Sequence, residues 1–150
     1  MLLQVLVGAL VSAINIGMHA LATVIAVSIA RAAGLRQTDS PRLHLMGVMV
    51  ATAAALSVAH TVEVLVWVCT YWLVQAAQPG SDLLYFAFVN YTTLGYGDIT
   101  PVPQWRLIGP LTAMNGILLF GWSAAILFEV LRKTIEHLEA IKRLPSQDNA

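Results

Sequence analysis

Seven consecutive residues, Thr92, Thr93, Leu94, Gly95, Tyr96, Gly97 and Asp98, have the types and order needed to handle a cation stripped of water. Gly95 and Gly97 alternate with larger residues and can adopt backbone angles closed to residues with a Cβ. Successive carbonyl oxygens can then point one way. Stacked rings of such oxygens replace the hydration shell that an ion loses on crossing a membrane. Thr93 adds a hydroxyl at the inner end, and Tyr96 can pack outward to hold the diameter. One chain cannot close a ring, so the pattern implies four copies in a closed cyclic assembly.

A second group of polar residues lies in apolar surroundings. Glu63 and His60 are three apart, on one face of a helix, and an ionised carboxylate there needs partners. In one reading Glu63 supports the residues around 92–98 through Asn90, Tyr91 or a residue of the first apolar segment, so that its protonation affects conduction. In the other it is a neutral, hydrogen-bonded glutamic acid that joins helices. His19 and His60 raise the question of a shared haem iron. Counted from the cytoplasmic ends of their segments, His19 lies ~16 Å deep and His60 ~25 Å, so the two are expected at different levels, with His19 and Asn15 forming a helix contact. No cluster of His, Cys and carboxylate is expected at one level, and no nucleophile elbow or phosphate loop occurs, so an enzyme is not expected. The single cysteine, Cys69, is expected to pack as a small hydrophobe.

The elements that must position these residues follow from composition. The 150 residues are 58% hydrophobic and 11% charged, more apolar than a soluble domain of this size can bury. Residues 2–30 contain no Asp, Glu, Lys or Arg and exceed the roughly 20 residues needed to cross a bilayer. With no basic residue ahead of it, this first span reads as a retained helix rather than a signal peptide. A cytoplasmic loop, 31–42, carries the turn residues Gly34, Thr38, Asp39, Ser40 and Pro41. The second span, 43–77, is interrupted by His44, His60 and Glu63 and stopped by Gln78, Pro79, Gly80 and Ser81. The third, 105–131, tolerates Pro110 in its first turns, and a polar tail, 132–150, follows. Between the last two spans, Ser81 or Asp82 caps a helix over 81–91, which reaches ~17 Å, half the bilayer core. Thr93 to Gly97, extended, retrace a similar distance. Such a re-entrant segment is tolerated only when buried in protein or lining a water-filled path.

Zero formal net charge gives no field for nucleic acid. Of the eight Lys and Arg residues, only Arg106 falls outside the first loop and the tail. That asymmetry puts loop and tail in the cytoplasm and the N-terminus outside.

Residues 92–98 resemble the potassium-channel signature, with Leu94 where Val or Ile is usual. Tyr85 and Phe86 are similar to the aromatic pair of that family's pore helix, and Gly116, Ile117, Leu118, Leu119, Phe120 and Gly121 to its inner-helix hinge region, so the resemblance spans about 85–129. It implies a two-transmembrane pore domain, as in bacterial ion channels, over 43–131: outer helix 43–77, pore helix 81–91, filter 92–98 and inner helix 105–131. By that resemblance K+ binds at Thr93, Leu94, Gly95 and Tyr96, with Gly97 completing the filter and Thr92, Asp98, Tyr85, Phe86 and Glu63 supporting it. Ile117, Phe120 and Ala124 face a cavity, Phe120 as a hydrophobic constriction. The first span, 1–30, has no counterpart in the simplest members.

Gly116 and Gly121 each cost about 1 kcal/mol of helix propensity relative to Ala, which suits either a hinge or close helix packing. No span carries the repeated arginines of a voltage sensor. In the tail, Leu131, Ile135, Leu138, Ile141 and Leu144 alternate at helical spacing with Glu136, Glu139 and Lys142, as in a four-helix bundle or an interfacial helix. The expectation is an all-α, multi-pass cell-membrane protein: three transmembrane helices, a re-entrant pore helix and a filter. Its partners are K+, the bilayer and three further copies, with no cofactor beyond the permeant ion and no nucleic acid. A weakly selective cation channel and a non-conducting membrane interaction protein are the alternatives.

Overall fold

A computed structural model describes residues 1–34 and 40–143. Arg36, Thr38 and Asp39 of the first loop, and Leu144 with the residues after it, lie outside the described residues. Every regular element among the described residues is helical: α1 (Leu2–Gly34), α2 (Pro41–Val74), α3 (Leu83–Tyr91) and α4 (Ile108–Arg143), with a turn of 3-10 helix at Pro103–Trp105. Three stretches, Leu2–Ala32, Pro41–Val74 and Pro103–Ala140, are long and apolar enough to cross a membrane.

Local chemistry sets the helix ends. Pro41 occupies the first turn of α2, where its missing N–H costs nothing. The helix stops at Val74, ahead of the Gln78 to Ser81 breaker, because Gln75 turns left-handed at φ 52°. Its side-chain amide donates to the Trp72 carbonyl at 2.6 Å, and the Ala76 N–H returns to the Tyr71 carbonyl at 2.9 Å, closing the terminus. Of the two candidate caps for α3, Asp82 is the one in place, its carboxylate accepting the Tyr85 N–H at 3.0 Å. Residues 92–102 then run without regular structure until the Val102 N–H donates to the Ala76 carbonyl at 2.8 Å, which returns the chain to the end of α2.

Helix α4 continues to Arg143, well past the point where the polar tail was expected to begin. Its charges are paired along the helix rather than disruptive: Arg132 reaches Glu129 at 2.8 Å and Glu136 at 2.7 Å, and Lys133 reaches Glu129 at 3.1 Å.

The bundle is layered along its length. One apolar cluster joins Val11, Val64, Trp67, Tyr71, Phe86, Tyr91 and Ile108, around α3. Another joins Val48, Leu56, Ile126 and Val130, toward the ends of α2 and α4 away from α3. Between them lies a buried polar layer with Asn15, His19, Glu63, Asn115 and Ser123. Helix α1 is apolar outside and, Val11 apart, polar or small inside, burying Gln4, Gly8, Val11, Asn15 and His19 at helical spacing. Gly8 permits this approach, since a Cβ there would stand 2.5 Å from Leu111 Cδ1. Gln4 Oε1 accepts the Leu107 N–H at 2.9 Å, one of the donors left open at the start of α4. Cys69 does not pack in this core: it is exposed, on the side of α2 turned away from its neighbours.

Candidate functional site

Residues 92–98 are exposed along their whole length, with Leu94 at 52% and Tyr96 at 70%. Their backbone alternates: φ is positive at Thr93 (61°), Gly95 (59°) and Gly97 (79°). Glycine accepts this region without strain, whereas Thr93 occupies it against the usual preference. The structure around it supplies the compensation. The Thr93 N–H donates to the Asn90 carbonyl at 3.0 Å and the Leu94 N–H to the Val89 carbonyl at 2.9 Å, so amides at the start of the stretch are anchored on the last carbonyls of α3. The Thr92 hydroxyl adds a bond to the Phe88 carbonyl at 2.7 Å.

The far end of the stretch is tied to the start of α3. The Tyr85 hydroxyl donates to Asp98 Oδ2 at 2.7 Å, and Asp98 Oδ1 accepts the Ile99 N–H at 3.1 Å. The Tyr85 hydrogen bond, which favours the charged form, holds the Asp98 carboxyl below its ordinary value. Phe86 is buried against Tyr71 at a ring separation of 5.0 Å. Tyr71 shares a hydrogen bond with Thr112 at 2.6 Å and accepts one from Asn90 at 3.2 Å, which fixes α3 to both α2 and α4.

Gly116 sits where the end of α3 meets α4: a Cβ there would collide with the Tyr91 carbonyl oxygen. Close packing is therefore its role in this structure. Gly121 has nothing within 4 Å of the same position. Ile117, Phe120 and Ala124 share an exposed face of α4, and Phe120 also stacks near His60 at 4.4 Å.

The polar layer closes into a ring. Glu63 Oε1 lies 2.8 Å from His19 Nδ1, and Oε2 lies 3.0 Å from His60 Nδ1. The opposite nitrogens of both imidazoles meet one hydroxyl: Ser123 Oγ is 2.9 Å from His60 Nε2 and 3.2 Å from His19 Nε2. Tyr91, the last residue of α3, donates its hydroxyl to Glu63 Oε2 at 2.5 Å and stands 2.9 Å from His60 Nδ1. Next to the ring, the Asn15 amide donates to Asn115 Oδ1 at 3.0 Å and to the Glu63 main-chain carbonyl at 3.3 Å, and Trp67 Nε1 donates to the same Asn115 oxygen at 3.1 Å. Of the partners expected for Glu63, Tyr91 and the first helix are present, whereas Asn90 bonds Tyr71 instead.

Two expectations are corrected here. The histidine rings are 5.2 Å apart, not at different depths. A His and carboxylate cluster does share one level, because His19, His60 and Glu63 bring ligand atoms within 4.8 Å of one another. The depth count took α1 and α2 to enter at a common level. They pair antiparallel with His19 against His60, so about two turns of α2 project past the level of Arg31. The depth argument against a shared haem iron therefore falls; both imidazoles instead turn Nδ1 to one carboxylate.

The four links of the ring set its proton count. An ionised Glu63, two neutral imidazoles and the Ser123 hydroxyl bring three protons to four links, so full closure needs one further positive charge. Buried amid apolar clusters, the carboxylate also favours such neutralisation. Sequence reasoning missed Ser123, Asn115 and Trp67. Their signal was positional: Asn115 and Ser123 recur at helical spacing on the same α4 face as Thr112 and Leu119, all buried.

Residues 46–133, more than half of the chain, match the model of a family described as ion channel. The matched segment takes in most of α2, all of α3 and most of α4, and leaves α1 outside it. No curated protein and no solved structure gives a match.

Proposed function

The chain belongs to the ion channel family, and on that premise we propose that it is one subunit of a potassium-selective channel in which four copies surround one pore. The observation that carries this reading is the alternation of positive φ at Thr93, Gly95 and Gly97 on a stretch exposed along its length. A chain whose backbone reverses at every second residue, with amides held by α3, can turn the carbonyls of Thr93, Leu94, Gly95 and Tyr96 to a common axis, where they replace the water around K+. Helix α3 enters the membrane only part way and residues 92–98 return, supported at the two ends by Thr92 and by the Tyr85–Asp98 bond and from behind by Phe86, Tyr91 and Glu63. Helix α2 is the outer helix and α4 the inner one. Ile117, Phe120 and Ala124 line the cavity, and Gly121, with open space beside it, is the bending point. The N-terminus lies outside and the end of α4 in the cytoplasm, by the distribution of basic residues.

Leu94 favours a second reading, a cation channel of relaxed selectivity, because its side chain is half exposed and braced by little in its own chain. The test is current through purified protein in planar bilayers, with potassium on one side and sodium on the other. A reversal potential close to the potassium equilibrium value, with block by external barium, is expected. A reversal near zero would support the relaxed filter, and absence of current from reconstituted tetramers would overturn conduction altogether.

A further inference from the structure

We propose that His19, His60 and Glu63 form an intramembrane binding site for one divalent transition-metal cation of the zinc class, joining α1 to the segment that holds residues 92–98. The site does not depend on potassium selectivity, since none of its donors belongs to that stretch.

The donor set is the first argument. Two imidazole nitrogens and one carboxylate are a recurrent zinc set, with metal bonds of about 2.0–2.2 Å. Their ligand atoms already lie within 4.8 Å of one another. The separations from Glu63 oxygens to the two Nδ1 atoms, 2.8 and 3.0 Å, need to widen only by tenths of an ångström to reach the edge of a zinc tetrahedron, about 3.3 Å from those bond lengths. The Tyr91 hydroxyl touches both Glu63 Oε2 and His60 Nδ1, and a water could complete the set as it does in three-ligand zinc sites.

The arrangement behind the ligands is the second argument. Both Nε2 atoms converge on the single Ser123 hydroxyl. With no metal present, Nδ1–H groups facing the carboxylate leave two bare Nε2 acceptors competing for one hydroxyl proton. With a cation between the Nδ1 atoms and the carboxylate, both Nε2 atoms carry hydrogen, and the two lone pairs of Ser123 Oγ accept one bond from each. The observed convergence is thus the outer support that metal-bound histidines ordinarily have.

Burial is the third. His19 and Glu63 are fully buried and come from different helices, so the cation is enclosed by folding rather than held at the surface. His60, 13% exposed and stacked on Phe120, gives the route in from the exposed face of α4.

The test uses the full chain purified in detergent with chelator and then dialysed against cobalt. Wild type is expected to take up one cobalt per chain with the visible absorption of a four-coordinate ion bound by nitrogen and oxygen, and to lose that absorption on stoichiometric zinc addition. His19→Ala and Glu63→Gln should lose uptake, whereas His44→Ala and His137→Ala should retain it. Ser123→Ala, which keeps every ligand, should weaken affinity by about 10–100-fold. Wild-type protein that binds no cobalt, shows only six-coordinate absorption, or binds equally well after the His19 change would overturn the site and leave a ring closed by protons alone. The wild-type spectrum decides the matter even if a variant fails to fold.

Discussion

Residues 92–98 and the Glu63 ring both lean on α3, one continuing from its last residue and the other gripping that residue, Tyr91, from behind. They are finished in opposite ways. The stretch is exposed on every residue and holds positive φ angles that nothing in its own chain covers. The ring draws on α1, α2, α3 and α4 and is closed by bonds within one chain. On the proposed reading, a site of the first kind becomes functional only when copies assemble, so its residues would answer to conduction more than to folding. A site of the second kind is part of the folded bundle, and its loss is felt in stability before function.

The largest effect that tests this contrast is Glu63→Ala. It removes the hub of the ring and leaves two imidazoles and a phenol buried without their acceptor, and should destabilise the chain by about 3 kcal/mol or more. A thermal melt in detergent checks it; a melt within a degree of wild type would place the ring outside the stabilising core. Gly95→Ala should behave in the opposite way. A Cβ at φ 59° costs about 1 kcal/mol or somewhat more, so the melt should move little while potassium selectivity, read as the reversal potential, collapses. An equal loss of stability in the two variants would erase the distinction.

The smallest effect sharpens the stretch itself. The Tyr85 hydroxyl holds the Asp98 carboxyl below its ordinary value. A depressed folded-state value stabilises this tie above the unfolded carboxylate range, and the contribution is lost as pH falls through the folded value. Tyr85→Phe removes the donor, so Asp98 should titrate closer to its ordinary value and acid inactivation of current should begin at higher pH. Unshifted acid inactivation would show that another group controls it.

What could be read from the sequence followed the same division. The long helices were legible because each contains an apolar run of membrane-spanning length with few charges, and α3 because Asp82 is an ordinary cap. The end of α2 was not, since glutamine rarely takes the left-handed position that Gln75 adopts. Residues 92–98 were legible as a motif because they are contiguous. The ring was legible only in part: the His60 and Glu63 pair and the Tyr91 contact could be read, but the place of His19 in it depends on the register of α1 against α2, which apolar periodicity leaves open. Asn15 and His19, four apart on α1, pointed to a helix contact, without indicating what lay across it.

The bare backbone at Gly116 gives the bundle a keyed joint. The Tyr91 carbonyl fits against α4 at that one residue. Sliding α4 along its axis by one turn, about 5.4 Å, would bring Thr112 or Phe120 to the same carbonyl, and neither side chain leaves it room. Helix α4 is thereby indexed to the end of α3, and any rearrangement of its C-terminal half has to be a swing about a point beyond the joint, leaving the end beside residues 92–98 in register.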